Sequence, residues 1–308
     1  MTPPPLFDVI IIGGGPAGLS AAIYTARKVL KTLLVSHDIG GQVTYTYDLD
    51  NYLGFSQVET ADLISKFDDH VDRFGVAKIT GEKVRRADVA GEVKTIFLSD
   101  GSSHSSKTLI IASGKRPRPL NVPGEKELTG RGVAYCSTCD APLFAGADVA
   151  VVGGGNSALE AALDLDKVAE KIHMVSLTPL TGDPILIEKV RASSKIDILI
   201  EHDTKAISGD GEVDGIEIIS LKTGKTRRLD VEGVFIEIGL LPNSDLFSDA
   251  VPTNSLGEIV VDKMCKTRVP GVFACGDVTD VPYKQVVVAA GEGAKAALSA
   301  YDYLIKRR

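Results

Sequence analysis

Phe7-Asp8-Val9-Ile10-Ile11-Ile12-Gly13-Gly14-Gly15-Pro16-Ala17-Gly18 is a β-branched run that stops at a cluster of glycines. The run from Phe7 to Ile12 has the apolar continuity of a buried parallel strand. Leu19 to Lys28 follows as an alanine-rich helical stretch, and Lys31 to Ser36 as a second strand. Together they make a βαβ unit of about 30 residues. In that setting Gly13-x-Gly15-x-x-Gly18 carries meaning. Its glycines permit a tight turn and let the backbone approach a pyrophosphate seated on the helix N-terminus. An acidic residue is expected at the end of the second strand to hold a ribose hydroxyl. This strand ends Val35-Ser36-His37-Asp38, so the contact falls to Ser36, or to Asp38 on a longer strand.

The same pattern returns mid-chain. Asp148 to Val152 is a strand, Gly153-Gly154-Gly155-Asn156-Ser157-Ala158 a glycine turn, Ala158 to Ala169 a helix and Lys171 to Ser176 the next strand. Two such units about 140 residues apart predict two nucleotide sites on two related domains. Thr95 to Leu98, Asp100-Gly101 and Lys107 to Ile111 suit small antiparallel sheets inserted in α/β domains. Lys115-Arg116-Pro117-Arg118-Pro119 and Leu241-Pro242-Asn243-Ser244 are linker candidates. The expected fold class is therefore α/β, with two Rossmann-like, three-layer ββα nucleotide-binding domains, one inserted in the other. Residues 1–117 plus 245–308 form the first domain and 118–244 the second. Lys284 to Ile305 reads as a strand-to-helix run, with Lys306-Arg307-Arg308 suited to a helix C-terminus.

The 308 residues suffice for two domains with a core each. With 34 Lys and Arg against 41 Asp and Glu, net charge is −7, which gives nucleic acid or an anionic membrane no electrostatic reason to bind. No apolar run reaches the ~18–20 residues of a membrane helix. Met1 to Leu6 is proline-rich without a basic and apolar leader, so a cytoplasmic location is the default expectation.

Four cysteines are too few for a disulfide scaffold of this length. Cys136-Ser137-Thr138-Cys139 has the spacing at which two thiols can close a small loop. Asp140 follows directly, no histidine is near in sequence, and Asp140 is the candidate general acid. A zinc site would need two more ligands of suitable spacing. Cys265 and Cys275 are ten apart, the five histidines have no ligand-like spacing, and no metal is expected. Cys265 and Cys275 read as small buried apolar residues.

These motifs, with Gly40-Gly41-Gln42, Asp50-Asn51-Tyr52, Val122-Pro123-Gly124, Gly271-Val272-Phe273-Ala274-Cys275-Gly276-Asp277, Val281-Pro282-Tyr283-Lys284-Gln285 and Gly291-Glu292-Gly293-Ala294-Lys295, give the chain its family likeness. It resembles the low-molecular-weight thioredoxin reductases, including the catalytic core of the alkyl hydroperoxide reductase flavoprotein. The resemblance implies FAD in the split domain, on the turn containing Gly13, Gly15, Ala17 and Gly18. It places Gly41, Gly276 and Asp277 at the cofactor, with Gln42, Asn51 and Gln285 near the flavin. It further implies that Cys139 faces the flavin while Cys136 exchanges with a thioredoxin-like or glutaredoxin-like protein, that the domains rotate about the two linkers, and that the chain forms a homodimer.

Gly153, Gly155, Asn156 and Ser157 are the matching candidates for a nicotinamide dinucleotide. NADPH-using relatives follow this turn with a cationic clamp for the 2′-phosphate. No Lys or Arg lies between Lys171 and Lys189 here, so NADPH is disfavoured. Ser176 and Thr178 offer NADH only hydroxyls, with Asp183 further along. Three readings follow: NADH through a hydroxyl contact, a non-nicotinamide donor such as ferredoxin, or weak binding of both nucleotides. NADH ranks first because the glycine turn is intact. The activity expected is FAD-dependent reduction of a protein disulfide through Cys136 and Cys139. A peroxide-forming flavin oxidase and a non-catalytic or zinc-stabilised module are the alternatives.

Overall fold

The computed structural model describes residues 5–45 and 48–306, with the side chain of Asp48 left aside. The first four residues of the proline-rich N-terminus, and Arg307 and Arg308 of the C-terminal cations, lie outside the described residues.

In chain order the elements are β1 (Leu6–Gly14), α1 (Pro16–Arg27), β2 (Thr32–Ile39), β3 (Asp48–Leu49), β4 (Val58–Glu59), α2 (Thr60–Asp72), β5 (Ala77–Thr80), β6 (Val84–Asp88), β7 (Lys94–Leu98), β8 (Ser103–Ile111) and β9 (Lys115–Pro117). Then come β10 (Val133–Ala134), α3 (Ser137–Asp140), β11 (Asp148–Val152), α4 (Asn156–Leu165), β12 (Lys171–Ser176), α5 (Pro184–Ala192) and β13 (Ile196–Ile200). The chain continues through β14 (His202–Ser208), β15 (Gly215–Ser220), β16 (Thr226–Leu229), β17 (Gly233–Ile236), β18 (Leu240–Pro242), β19 (Val272–Ala274) and α6 (Val286–Ile305). The chain divides into two compact units. Unit 1 comprises residues 1–44, 52–116 and 241–308, and unit 2 residues 45–51 and 117–240.

Unit 1 is built on a seven-stranded sheet in the order β5-β2-β1-β8-β7-β6, with β19 also pairing β8. The expectation that Lys107 to Ile111 belongs to a small antiparallel sheet is corrected here. β8 lies parallel to β1 at the centre of the main sheet. Its first half, Ser103 to Ser106, pairs antiparallel with β7, and its second half, Leu109 to Ile111, pairs parallel with β19. The switch follows side-chain character: the polar half continues the β6-β7 meander, and the apolar half is buried on both faces, as an interior parallel strand must be. Val9, Ile11, Leu34 and Ile110 pack one face against α1 and α6. Ile10, Ile12, Leu33, Val35, Leu109 and Ile111 fill the other face with Phe247, Val251 and Ile259. Alternation along each strand thus supplies two cores.

Lys284 to Ile305 is likewise corrected: Lys284 and Gln285 form no strand, and α6 starts after its N-cap Gln285. Val286-Val287-Val288 looks strand-like alone, but the alanine-rich sequence behind it packs on α1 at helical spacing.

Unit 2 carries a parallel five-stranded sheet, β10-β17-β11-β12-β13, and an antiparallel sheet, β14-β15-β16. Ala158, Leu159, Ala162 and Leu165 of α4 pack on one face of the parallel sheet with Val149, Val151, Met174 and Phe235. Ile216, Ile218 and Leu229 from the antiparallel sheet meet Ala150, Val152, Val175 and Val234 on the other. Each unit is thus a three-layer α/β arrangement.

Candidate active site

In unit 1, Gly13 and Gly14 close β1 and Gly15 is the N-cap of α1, followed by Pro16, Ala17 and Gly18 in its first turn. No side chain caps this helix, and its first turn holds no acid. Its leading N–H groups are thus available to a phosphate. A Cβ on Gly18 would overlap the Gly13 carbonyl, and one on Gly293 of α6 the Ala17 carbonyl, so the turn is held by close backbone packing. The Gly14 N–H donates to Ser36 Oγ at 2.7 Å. Ser36 thus acts on the turn itself.

The 3-10 turns Gly41–Tyr45 and Gly276–Val278 are tied together, since Gln42 Nε2 donates to Asp277 Oδ2 at 3.0 Å. Burial pushes the Asp277 carboxyl up, and Lys284, Lys115 and the Gln42 bond pull it back. Around it lies an ion network that sequence reading missed. Glu258 Oε1 accepts from Lys115 at 2.6 Å and faces Lys284 at 3.2 Å, while Asn254 Nδ2 donates to Glu258 Oε2 at 2.7 Å. Burial works against charge on Glu258, but these partners hold its carboxyl below the usual carboxylate range. The three charged residues are 115, 258 and 284, and no local motif links them. Gln285 is the N-cap residue of α6 in unit 1, whereas Asn51 groups with unit 2.

In unit 2, Cys136 and Cys139 are joined as a disulfide with their Cα atoms 5.4 Å apart. Cys136 is the N-cap of α3, and its carbonyl accepts from the Asp140 N–H at 3.0 Å. Asp140 is buried at the end of that turn. The free thiols Cys265 and Cys275 are both buried. Burial pushes both thiols up, and Cys265 Sγ donates to Glu292 Oε2 at 3.0 Å.

The second glycine turn runs from Gly153, just past β11, to the N-cap Gly155, with Asn156 and Ser157 opening α4. This helix also starts without a side-chain cap, and the space beside Gly155 is open, which fits a pyrophosphate. Ser176, by contrast, is buried and donates to the Thr178 carbonyl at 2.8 Å. Asp183, seven residues further along the chain, comes back to the turn: its N–H donates to Asn156 Oδ1 at 2.7 Å, and Asn156 Nδ2 donates to Asp183 Oδ2 at 3.3 Å. The Thr181 N–H donates to the Gly154 carbonyl at 2.8 Å. Residues 181–183 therefore fold against the turn, and their side chains bring no cation. Glu237, which follows β17, is a further residue the sequence did not single out. Burial pushes its carboxyl up to about 8.

Among the described residues no helix is long and apolar enough to cross a membrane. Residues 7–293 match the family model described as pyridine nucleotide-disulphide oxidoreductase. The chain is 42% identical over 307 residues to an alkyl hydroperoxide reductase component of Escherichia coli K12, covering 98% of this chain and 59% of that protein. It is 42% identical over 304 residues to a Bacillus subtilis protein named NADH dehydrogenase, with 97% and 59% covered. It thus spans about three-fifths of the length of these curated relatives. A crystal structure of thioredoxin reductase from Streptococcus pyogenes superposes with a TM-score of 0.90 at 36% identity, covering 98% of this chain and 99% of that one. The chain belongs to the pyridine nucleotide-disulphide oxidoreductase family and has the thioredoxin reductase fold.

Proposed function

We propose that the chain passes reducing equivalents from a nucleotide donor through FAD to the Cys136–Cys139 disulfide, and on to a disulfide of a thioredoxin-like or glutaredoxin-like protein. The observation that carries this reading is the formed disulfide on α3, within a chain whose other two cysteines are buried. FAD, when bound, supplies the two-electron chemistry between donor and disulfide. Gly13, Gly15, Ala17 and Gly18 hold its pyrophosphate on the α1 N-terminus. Gly41, Gln42, Gly276 and Asp277 serve the ribityl region, and Gln285 and Asn51 the ring. Cys139 faces the flavin, Cys136 exchanges with the protein substrate, and Asp140 handles the proton. The domain boundaries 1–117 with 245–308, and 118–244, the homodimer and the cytoplasmic location belong to the same reading.

For the donor, NADH is placed ahead of NADPH. A 2′-phosphate beside Ser176 meets no cation between Lys171 and Lys189, and the name of the Bacillus subtilis relative specifies NADH. A non-nicotinamide donor such as ferredoxin is the second reading. It is favoured by the commitment of the Ser176 hydroxyl to Thr178 and by the folding of residues 181–183 onto the turn.

Anaerobic titration of the flavin with NADH, NADPH and reduced ferredoxin tests the donor, bleaching by NADH being expected. Bleaching by ferredoxin alone reverses the ranking. Cys139→Ser is expected to leave flavin reduction intact and abolish disulfide reduction. Retained disulfide reduction overturns the role of the pair. Oxygen consumption that survives loss of either cysteine identifies a peroxide-forming flavin oxidase instead.

A further inference from the structure

At the carboxyl edge of the unit 2 sheet the strand order β10-β17-β11 sets three chain exits side by side. Ala134 pairs with Phe235 in one ladder, and Val152 with Ile236 in the next. Continuing these parallel registers past the strand ends puts positions 136 and 153 on either side of position 237. Glu237 therefore stands between the first cysteine of the pair and the first glycine of the second turn. Its backbone is fixed there. The Glu237 N–H donates to the Val152 carbonyl at 2.8 Å, and its own carbonyl occupies the place where a Cβ on Gly153 would fall. Its carboxyl faces the backbone N–H of Ser137, the residue between Cys136 and Thr138, and its charged neighbours are Asp140 on α3 and Glu160 on α4.

We propose that Glu237 is a positioning residue for the disulfide reaction, a carboxyl that holds a proton while a thiolate is present at Cys136 or Cys139 and opposes thiolate formation once it ionises. The inference rests on the cysteine pair being the redox group, as proposed above. Reduction puts two electrons into the S–S bond and breaks it, leaving two sulfurs that carry two protons, or one proton and one negative charge. In the enzyme those electrons come from the flavin; in a test they can come from dithiothreitol. A thiolate and a carboxylate on neighbouring strand ends, in a partly dry setting, repel more strongly than in water. The two sites therefore titrate as a pair, and one of them keeps a proton. Burial biases that proton toward the carboxyl. The Ser137 N–H pulls the other way, and the like charges of Glu160 and Asp140 reinforce burial. At neutral pH Glu237 is thus neutral and sets no charge against a thiolate. The shape of the site explains why no motif reveals this residue: it reaches the disulfide across the sheet, about 100 residues along the chain.

The test follows the alkylation rate of the dithiothreitol-reduced protein across a pH range centred on 8. The wild-type profile is expected to be broad, because two coupled groups share the titration. Glu237→Gln should give a single step displaced to lower pH, with roughly tenfold more thiolate at intermediate pH. A Glu237→Gln profile that superimposes on wild type overturns the proposal. A second measurement does not depend on that variant folding. Infrared titration of the oxidised wild-type protein should show a protonated carboxyl lost near pH 8. Glu160→Gln, on the exposed face of α4, should move that loss to lower pH by removing a like charge. Carboxyls fully ionised throughout the neutral range overturn the proposal. Disulfide reduction that survives Cys139→Ser removes the redox role of the pair, and this outcome is read separately from both titrations.

Discussion

At the first glycine turn Gly18 is packed against the Gly13 carbonyl so closely that no side chain fits, whereas at the second turn the same place is held by Ala158. Each helix begins on an uncapped glycine, Gly15 or Gly155, with its N–H groups open. The serines at the ends of the following strands have opposite uses. Ser36 accepts from the turn at Gly14, while Ser176, although it lies against Gly154, donates to Thr178. Around the first turn, α6 and the 3-10 turn at Asp277 close a cradle. Around the second, residues 181–183 fold back onto the turn and Glu237 lies against Gly153. A shared motif therefore fixes the local path of the backbone, and its neighbours decide what the turn can hold.

The sharpest way to break this comparison is Gly18→Ala. The added methyl must push the helix off the sheet, so a loss of about 3 kcal/mol is expected, together with loss of FAD on purification. Ala158→Gly should cost only about 1 kcal/mol, the ordinary penalty of glycine in a helix. Urea midpoints and the flavin-to-protein absorbance ratio measure both. Equal losses at the two positions contradict the difference in packing.

Next in size is a pH effect. The Glu237 carboxyl titrates in the folded chain at about 8, above its ordinary range. Between the two values the folded state binds more protons than the unfolded state, so this group's contribution is full at acidic pH and is lost as pH rises toward 8. Wild type should lose about 2 kcal/mol more than Glu237→Gln between pH 5 and 8, followed by urea midpoints. Parallel curves would show that the second turn carries no such acid.

Thr178→Arg sharpens the comparison at the nucleotide. A cation beside the second turn should raise the preference for NADPH over NADH by about tenfold, read as a ratio of Kd values. The smallest effect belongs to the serines. Ser36→Ala leaves the Gly14 N–H without its acceptor and should cost about 1 kcal/mol. Ser176→Ala should cost no more than about 0.5 kcal/mol, because Thr178 lies exposed and its carbonyl can turn to water.

The sequence by itself determined the two βαβ units, the parallel strands at their centres, the disulfide-forming pair and the absence of a cationic clamp after Ser176. Each of these is local: apolar runs, glycines and the spacing of two cysteines act over a few residues, and the backbone answers to them directly. Only the tertiary structure decided the rest. It made β8 a central strand whose halves serve different neighbours, and turned the strand-like start of α6 into helix. It brought Asp183 back to Asn156. It also joined Lys115, Glu258 and Lys284 in one ion network and set the Glu237 carboxyl against the Ser137 N–H. These outcomes depend on which strand lies next to which, and on how deeply a carboxyl is removed from water. Strand neighbours and burial are properties of the folded chain, so residues about 100 positions apart acquire a shared chemistry that no local pattern encodes.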